Sequence, residues 1–121
     1  MKTCLIVDDS RVVRTVAGRI VQDLNFTVSE AGDGAQALEV CRETMPDAIL
    51  LDWNMPIMNG IDFLRALRRE TGGDKPVVVF CTNENDAEHI TEAMRSGANE
   101  YIMKPFDADI VYSKFVETGL V

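Results

Sequence analysis

The chain has 121 residues, 46 % of them hydrophobic and 26 % charged, the balance of a globular protein rather than a disordered tail. The 12 Lys and Arg are outnumbered by 20 Asp and Glu, and a net charge of −8 argues against the basic face that nucleic-acid binding requires. No apolar run is long enough to cross a bilayer, and Met1-Lys2-Thr3 does not open a signal peptide, so no membrane partner is expected. One domain over residues 1–121 suits this length. Cys4, Cys41 and Cys81 are odd in number, widely spaced and without a Cys-x-x-Cys pair, which predicts reduced core thiols and a cytoplasmic location. Zinc is poorly supported, since His89 is the only histidine.

Short apolar runs alternate with helical patterns along the whole chain. Thr3-Cys4-Leu5-Ile6-Val7 reads as a buried strand stopping at Asp8 and Asp9. From Ser10 the period changes, and Val13, Ala17, Ile20 and Leu24 form one apolar helical stripe. Phe26-Thr27-Val28 predicts a second strand, and Gly32-Asp33-Gly34 a turn that caps a helix carrying Ala37, Leu38 and Cys41. Pro46 ends that helix. Ala48-Ile49-Leu50-Leu51 runs apolar without alternation into Asp52, as a strand covered on both faces does. Residues 53–60, with Pro56 and Gly60, read as a loop. Phe63, Leu64 and Leu67 mark a third helix, expected to stop at Gly72-Gly73. Val77 to Cys81 is the most β-branched run and ends at Thr82. A helix over 86–96 ends before Gly97. Tyr101-Ile102-Met103 reads as a fifth strand ending at Lys104-Pro105, and Asp107 caps a last helix bearing Ile110, Val111 and Phe115.

Five strands alternating with five helices predict an α/β fold, a doubly wound parallel sheet with helices on both faces. In such a sheet the strand C-termini share one edge, where ligands bind. That edge collects Asp8, Asp9, Asp52, Thr82 and Lys104, with Glu30 supplied by strand two. Each residue alone is unremarkable there. Three clustered carboxylates, however, repel and raise one another's pKa unless a cation sits among them. Mg²⁺ is the natural occupant, a hard ion held by carboxylates, waters and a phosphate oxygen. Mg²⁺ and the Lys104 ammonium together balance the three carboxylates, leaving a site that tolerates a phosphoryl group.

Asp8-Asp9, the run Asp52-Trp53-Asn54-Met55-Pro56 with Gly60, Thr82, and Lys104-Pro105-Phe106 resemble, in order and over essentially the whole chain, the receiver domain of bacterial response regulators, in its CheY-like single-domain form. The resemblance implies a flavodoxin-like strand order 2-1-3-4-5. It implies that Asp52 is the phosphoacceptor, taking a phosphoryl group from a histidine kinase or histidine phosphotransfer protein as an acyl phosphate. Asp9 would bind Mg²⁺ directly and Asp8 mostly through water, with Asp52 and the backbone carbonyl of Asn54 completing the set. Lys104, after a cis Lys104-Pro105 bond, would neutralise phosphoryl charge. Thr82 would be the switch, its hydroxyl moving to the phosphoryl group while Tyr101 rotates inward and reshapes the surface of helix 4, strand 5 and helix 5. The resemblance also implies a protein that catalyses its own phosphorylation and dephosphorylation and is not a turnover enzyme.

One residue departs from the family pattern. The position after the switch threonine is usually small, and here it is Asn83, which predicts slower dephosphorylation. Glu84 and Asn54 also lie where side chains contact attacking water. Trp53 is expected to pack beside the site and report on it, His89 to be a surface residue, and Arg65, Arg68 and Arg69 to form a solvated face.

The expected output is contact with a downstream protein such as a flagellar switch protein, in chemotaxis and motility, with the chain a monomer and residue 121 leaving no room for an output domain. Alternatives are a phosphorelay intermediate, or a phosphate sink or cell-cycle regulator. An aspartyl-nucleophile phosphatase is less favoured, because its Asp-x-Asp would replace Asp8-Asp9-Ser10. Flavin binding fits poorly with a carboxylate cluster. A constitutive binding module would not need every site residue retained.

Overall fold

The computed structural model describes residues 1–83 and 86–121; Glu84 and Asn85 lie outside the described residues. The chain alternates β1 (Thr3–Val7), α1 (Arg11–Asp23), β2 (Thr27–Ala31), α2 (Gly34–Glu43), β3 (Ala48–Asp52), α3 (Gly60–Arg69), β4 (Val77–Asn83), α4 (Ala87–Arg95), β5 (Glu100–Lys104) and α5 (Ala108–Glu117). All strand pairs are parallel and the order is β2-β1-β3-β4-β5, as the resemblance implied.

Alternation along each strand splits the interior into two layers, because successive side chains point to opposite faces. Leu5, Val7, Ile49, Leu51, Val78 and Phe80 pack on one side with Leu38 of α2, Phe63, Leu64 and Leu67 of α3, and Ala93 of α4. Cys4, Ile6, Leu50, Val79, Cys81 and Ile102 pack on the other with Ala17 and Val21 of α1 and Val111 and Phe115 of α5. β3 is buried at all five positions, which is why its sequence shows no alternation.

Four helix starts are fixed by capping side chains. Ser10 accepts from the Val13 amide, Asp33 from Gln36 and Asp107 from Ile110, each satisfying a first-turn N–H that the helix itself leaves unpaired. Asn59 caps α3 in the same way.

Several boundaries differ from expectation. β2 begins at Thr27 and runs to Ala31, while Phe26 lies before it as a core residue stacked edge-on to Phe115. β2 is an edge strand with mostly exposed side chains, so Ser29 and Glu30 hide its length from a hydrophobicity reading. α3 ends at Arg69, three residues before Gly72, because Glu70 has already turned extended. Arg68 is not a solvated charge. Its guanidinium donates to the carbonyls of Gly97, Gly73 and Pro76, and to the Asn99 side chain, tying α3 to the segments flanking β4 and β5. Burial holds its pKa below the usual arginine range. Arg65 pairs with Asp62 and Glu92, and Arg69 is exposed.

Candidate functional site

Asp8 and Asp9 directly after β1, Asp52 at the end of β3 and Lys104 at the end of β5 form one polar cluster. The Lys104 ammonium donates to Asp8 Oδ2 at 2.7 Å and to Asp52 Oδ1 at 3.1 Å, bridging the ends of β1 and β3 from β5. Asp8 and Asp52 are buried, Asp9 is exposed, and oxygens of all three carboxylates lie within 4.8 Å of one another. The Lys104-Pro105 bond is cis, as the resemblance implied.

Backbone contacts hold the acidic pair in place. Asp8 Oδ1 accepts from the Ser10 amide at 2.9 Å, and the Asp8 carbonyl accepts from Arg14, which also pairs with Glu30 at 2.9 Å. Glu30, at strand two's edge, is thus spent on Arg14 rather than pointed at the cluster.

Electrostatics follow from burial and crowding. Burial pushes the Asp52 carboxyl up; the Lys104 ammonium opposes this, while Asp8 and Asp9 add to it. For Lys104 the balance reverses: burial alone lowers its pKa, but the bonds to Asp8 and Asp52 outweigh it and the ammonium is held charged. Three carboxylates facing one ammonium leave unneutralised negative charge at a set of hard oxygen donors. That donor chemistry fits Mg²⁺, a hard cation that takes oxygen ligands.

The other anticipated residues fall around this cluster. Asn54 is exposed in the loop after β3, with Met55 buried beneath it. Thr82 is buried near the end of β4, Asn83 follows it exposed, and Glu84 lies outside the described residues. Tyr101 is half-buried, with the Lys114 ammonium 5.9 Å from its ring centroid.

His89 is half-buried rather than a plain surface residue. Its ring stacks on Trp53 at 3.5 Å between centroids and 20° between planes, and its Nδ1 bonds Asp86. Asp86 in turn accepts from the Thr82 hydroxyl at 3.0 Å. Partial burial alone would raise the Asp86 carboxyl, but the bonds from His89 and Thr82 outweigh it and hold the group below the usual carboxylate range. No periodicity points to Asp86, since it stands where a strand gives way to a helix.

The response regulator receiver domain model matches residues 4–115. The chain belongs to the response regulator receiver family. It is 40 % identical over 111 residues to the chemotaxis protein CheY of Pseudomonas aeruginosa, covering 91 % of this chain and 90 % of that protein. It is also 40 % identical over 102 residues to the DNA-binding response regulator MtrA of Mycobacterium tuberculosis, covering 84 % of this chain and 43 % of MtrA. The crystal structure of CheY4 of Vibrio cholerae superposes with a TM-score of 0.90 at 30 % identity, over 97 % of this chain and 98 % of that one. The chain is therefore a CheY-like receiver of two-component signalling. Among the described residues, no helix of the receiver is long and apolar enough to cross a membrane.

Proposed function

We propose that this receiver is a phosphorylation-driven switch in which Asp52 accepts a phosphoryl group from a phosphohistidine on a histidine kinase or phosphotransfer protein. The observation that carries this reading is the Lys104 ammonium seated between Asp8 and Asp52, with Asp9 close enough to complete a hard-cation site.

An Asp52 carboxylate oxygen attacks phosphorus as the phosphorus–nitrogen bond of the donor breaks. The electron pair stays on the imidazole nitrogen, which takes up a proton, and Asp52 becomes an acyl phosphate. Asp9 and Asp52, the Asn54 carbonyl and, through water, Asp8 would hold Mg²⁺, which when bound neutralises charge on the transferring group. Lys104 is already aimed at the Asp52 oxygen and supplies a preorganised donor to the phosphoryl group. Hydrolysis returns Asp52 and phosphate when water attacks the same phosphorus.

Thr82 then moves its hydroxyl to a phosphoryl oxygen and Tyr101 rotates inward. The surface so changed carries exposed Met94, Met103, Ile110, Tyr112 and Val116 on α4, β5 and α5, an apolar set suited to a protein partner. Identity of 40 % to a chemotaxis CheY over nine-tenths of that protein supports a flagellar switch protein as that partner. The net charge of −8 argues against nucleic acid. We take the receiver to be a cytoplasmic monomer formed as one domain.

The test uses the chain's single tryptophan. Trp53 emission should respond to Mg²⁺ and again to beryllofluoride, a phosphoryl mimic, and the second response should vanish in Asp52→Ala. A folded wild type with no beryllofluoride response would demote the switch to a constitutive module. Rapid onward transfer to a histidine phosphotransfer protein, without binding to a flagellar switch protein, would make it a relay intermediate.

A further inference from the structure

The hydroxyl expected to engage the phosphoryl group already has a partner. Thr82 Oγ1 donates to Asp86 Oδ2 at 3.0 Å, and Thr82 is only 1 % exposed. Asp86 occupies the N-cap position of α4, where an aspartate ordinarily accepts from a first-turn amide. It makes no such bond. Its two oxygens face Thr82 on one side and His89 Nδ1 on the other, and His89 is clamped flat against Trp53, the neighbour of Asp52.

We propose that Asp86 is a positioning residue that latches the Thr82 hydroxyl away from Asp52, braced by the His89–Trp53 stack, so that the active state forms only when this bond opens. The inference rests on the reading of Thr82 as the group that moves to the phosphoryl oxygen. The carboxylate has a second place to go. Once Thr82 leaves, Asp86 can cap α4, whose first-turn amides it does not bond in the latched state. The element therefore has two discrete arrangements, each with the Asp86 carboxylate hydrogen-bonded, as a switch requires. A ligand that needs the free hydroxyl binds more weakly by the fraction of molecules in which the latch is open. A hydroxyl-to-carboxylate bond in a half-buried setting corresponds to a bias on the order of threefold to thirtyfold.

The test is calorimetric titration of the Mg²⁺-saturated full chain with beryllofluoride. Asp86→Ala should bind it about threefold to thirtyfold more tightly than wild type. Asp86→Asn, which removes charge but keeps an acceptor, should fall between the two and serves if the alanine variant folds poorly. The deciding comparison is made in a Thr82→Val background, where no hydroxyl remains to be latched. There Asp86→Ala and Asp86→Asn should change affinity by less than about twofold. Equal tightening with Val at position 82 would assign the effect to local charge and overturn the latch, as would no tightening by Asp86→Ala with Thr82 intact. A wild type that binds no beryllofluoride, or binds it as well after Asp52→Ala, would instead remove the phosphoacceptor reading on which the latch depends.

Discussion

Gly60, the first residue of α3, stands so close to Asp52 that a Cβ on it would lie 2.2 Å from the Asp52 carbonyl oxygen. Its amide donates to the Trp53 carbonyl at 2.8 Å, so the helix start presses directly on the end of β3. Backbone cannot step aside as a flexible side chain can. Gly60→Ala should therefore cost about 2 kcal/mol or more of stability in urea unfolding. It should also weaken beryllofluoride binding by displacing Asp52, the proposed phosphoacceptor. A loss under about 0.5 kcal/mol would show that this contact yields freely.

Lys104 is the only cation bonded to the carboxylate cluster among the described residues. Lys104→Met leaves Asp8, Asp9 and Asp52 facing one another without it, so Mg²⁺ should bind several-fold more tightly, by about threefold to thirtyfold. Phosphorylation should nevertheless fail to switch Tyr101, because a donor to the phosphoryl group is gone. Calorimetry with Mg²⁺ reads the first effect, and unchanged or weaker Mg²⁺ binding would contradict the charge balance described.

The fold's buried thiols predict a loss of stability at alkaline pH. Burial pushes Cys4 up to about 12, and burial with the nearby Glu70 charge pushes Cys41 up to about 11; Cys81 is also raised by burial. A thiol raised in the fold stays protonated there while the unfolded chain ionises from about pH 8.5. The contribution is complete below that pH and is lost as pH rises toward the folded values, by up to about 1.4 kcal/mol per unit for each thiol. The raised Lys104 acts with the same sign at higher pH. Urea midpoints should fall clearly between pH 7.5 and 9.5, and equal midpoints would contradict the burial of these groups.

Asn83 follows Thr82 and is exposed beside the site. On the proposed phosphorylation of Asp52, a side chain of that size beside the phosphoryl group would shield it from water, so Asn83→Ala should speed decay of the acyl phosphate severalfold. Following loss of the phosphorylated mass with time measures this directly, and an unchanged rate would remove the shielding role.

The sequence alone made the strand ends legible because each apolar run stops at a polar residue, and a parallel sheet brings those ends together. Asp8, Asp9, Asp52 and Lys104, grouped that way from sequence, do lie together, while the Thr82 hydroxyl turns to Asp86. Strand order did not follow from periodicity and came from the family resemblance. What stayed hidden was set by tertiary context. Ser29 and Glu30 lie in a strand that only its pairing with β1 reveals. Arg68 looked like one of three surface arginines, yet its acceptors are carbonyls up to 29 residues away. Ile57 adopts φ 70°, a strained choice for a β-branched residue that no local pattern announces. The Thr82–Asp86–His89–Trp53 chain joins two strand ends through the start of a helix, where neither period applies.

The most direct test of the central claim is intact-mass analysis after incubation with a small phosphoryl donor and Mg²⁺, followed by mapping of the modified peptide. The account predicts addition of one phosphoryl group, on Asp52, that requires Mg²⁺ and is absent in Asp52→Asn. Modification that persists in Asp52→Asn, or proceeds equally well with Mg²⁺ chelated, would contradict it.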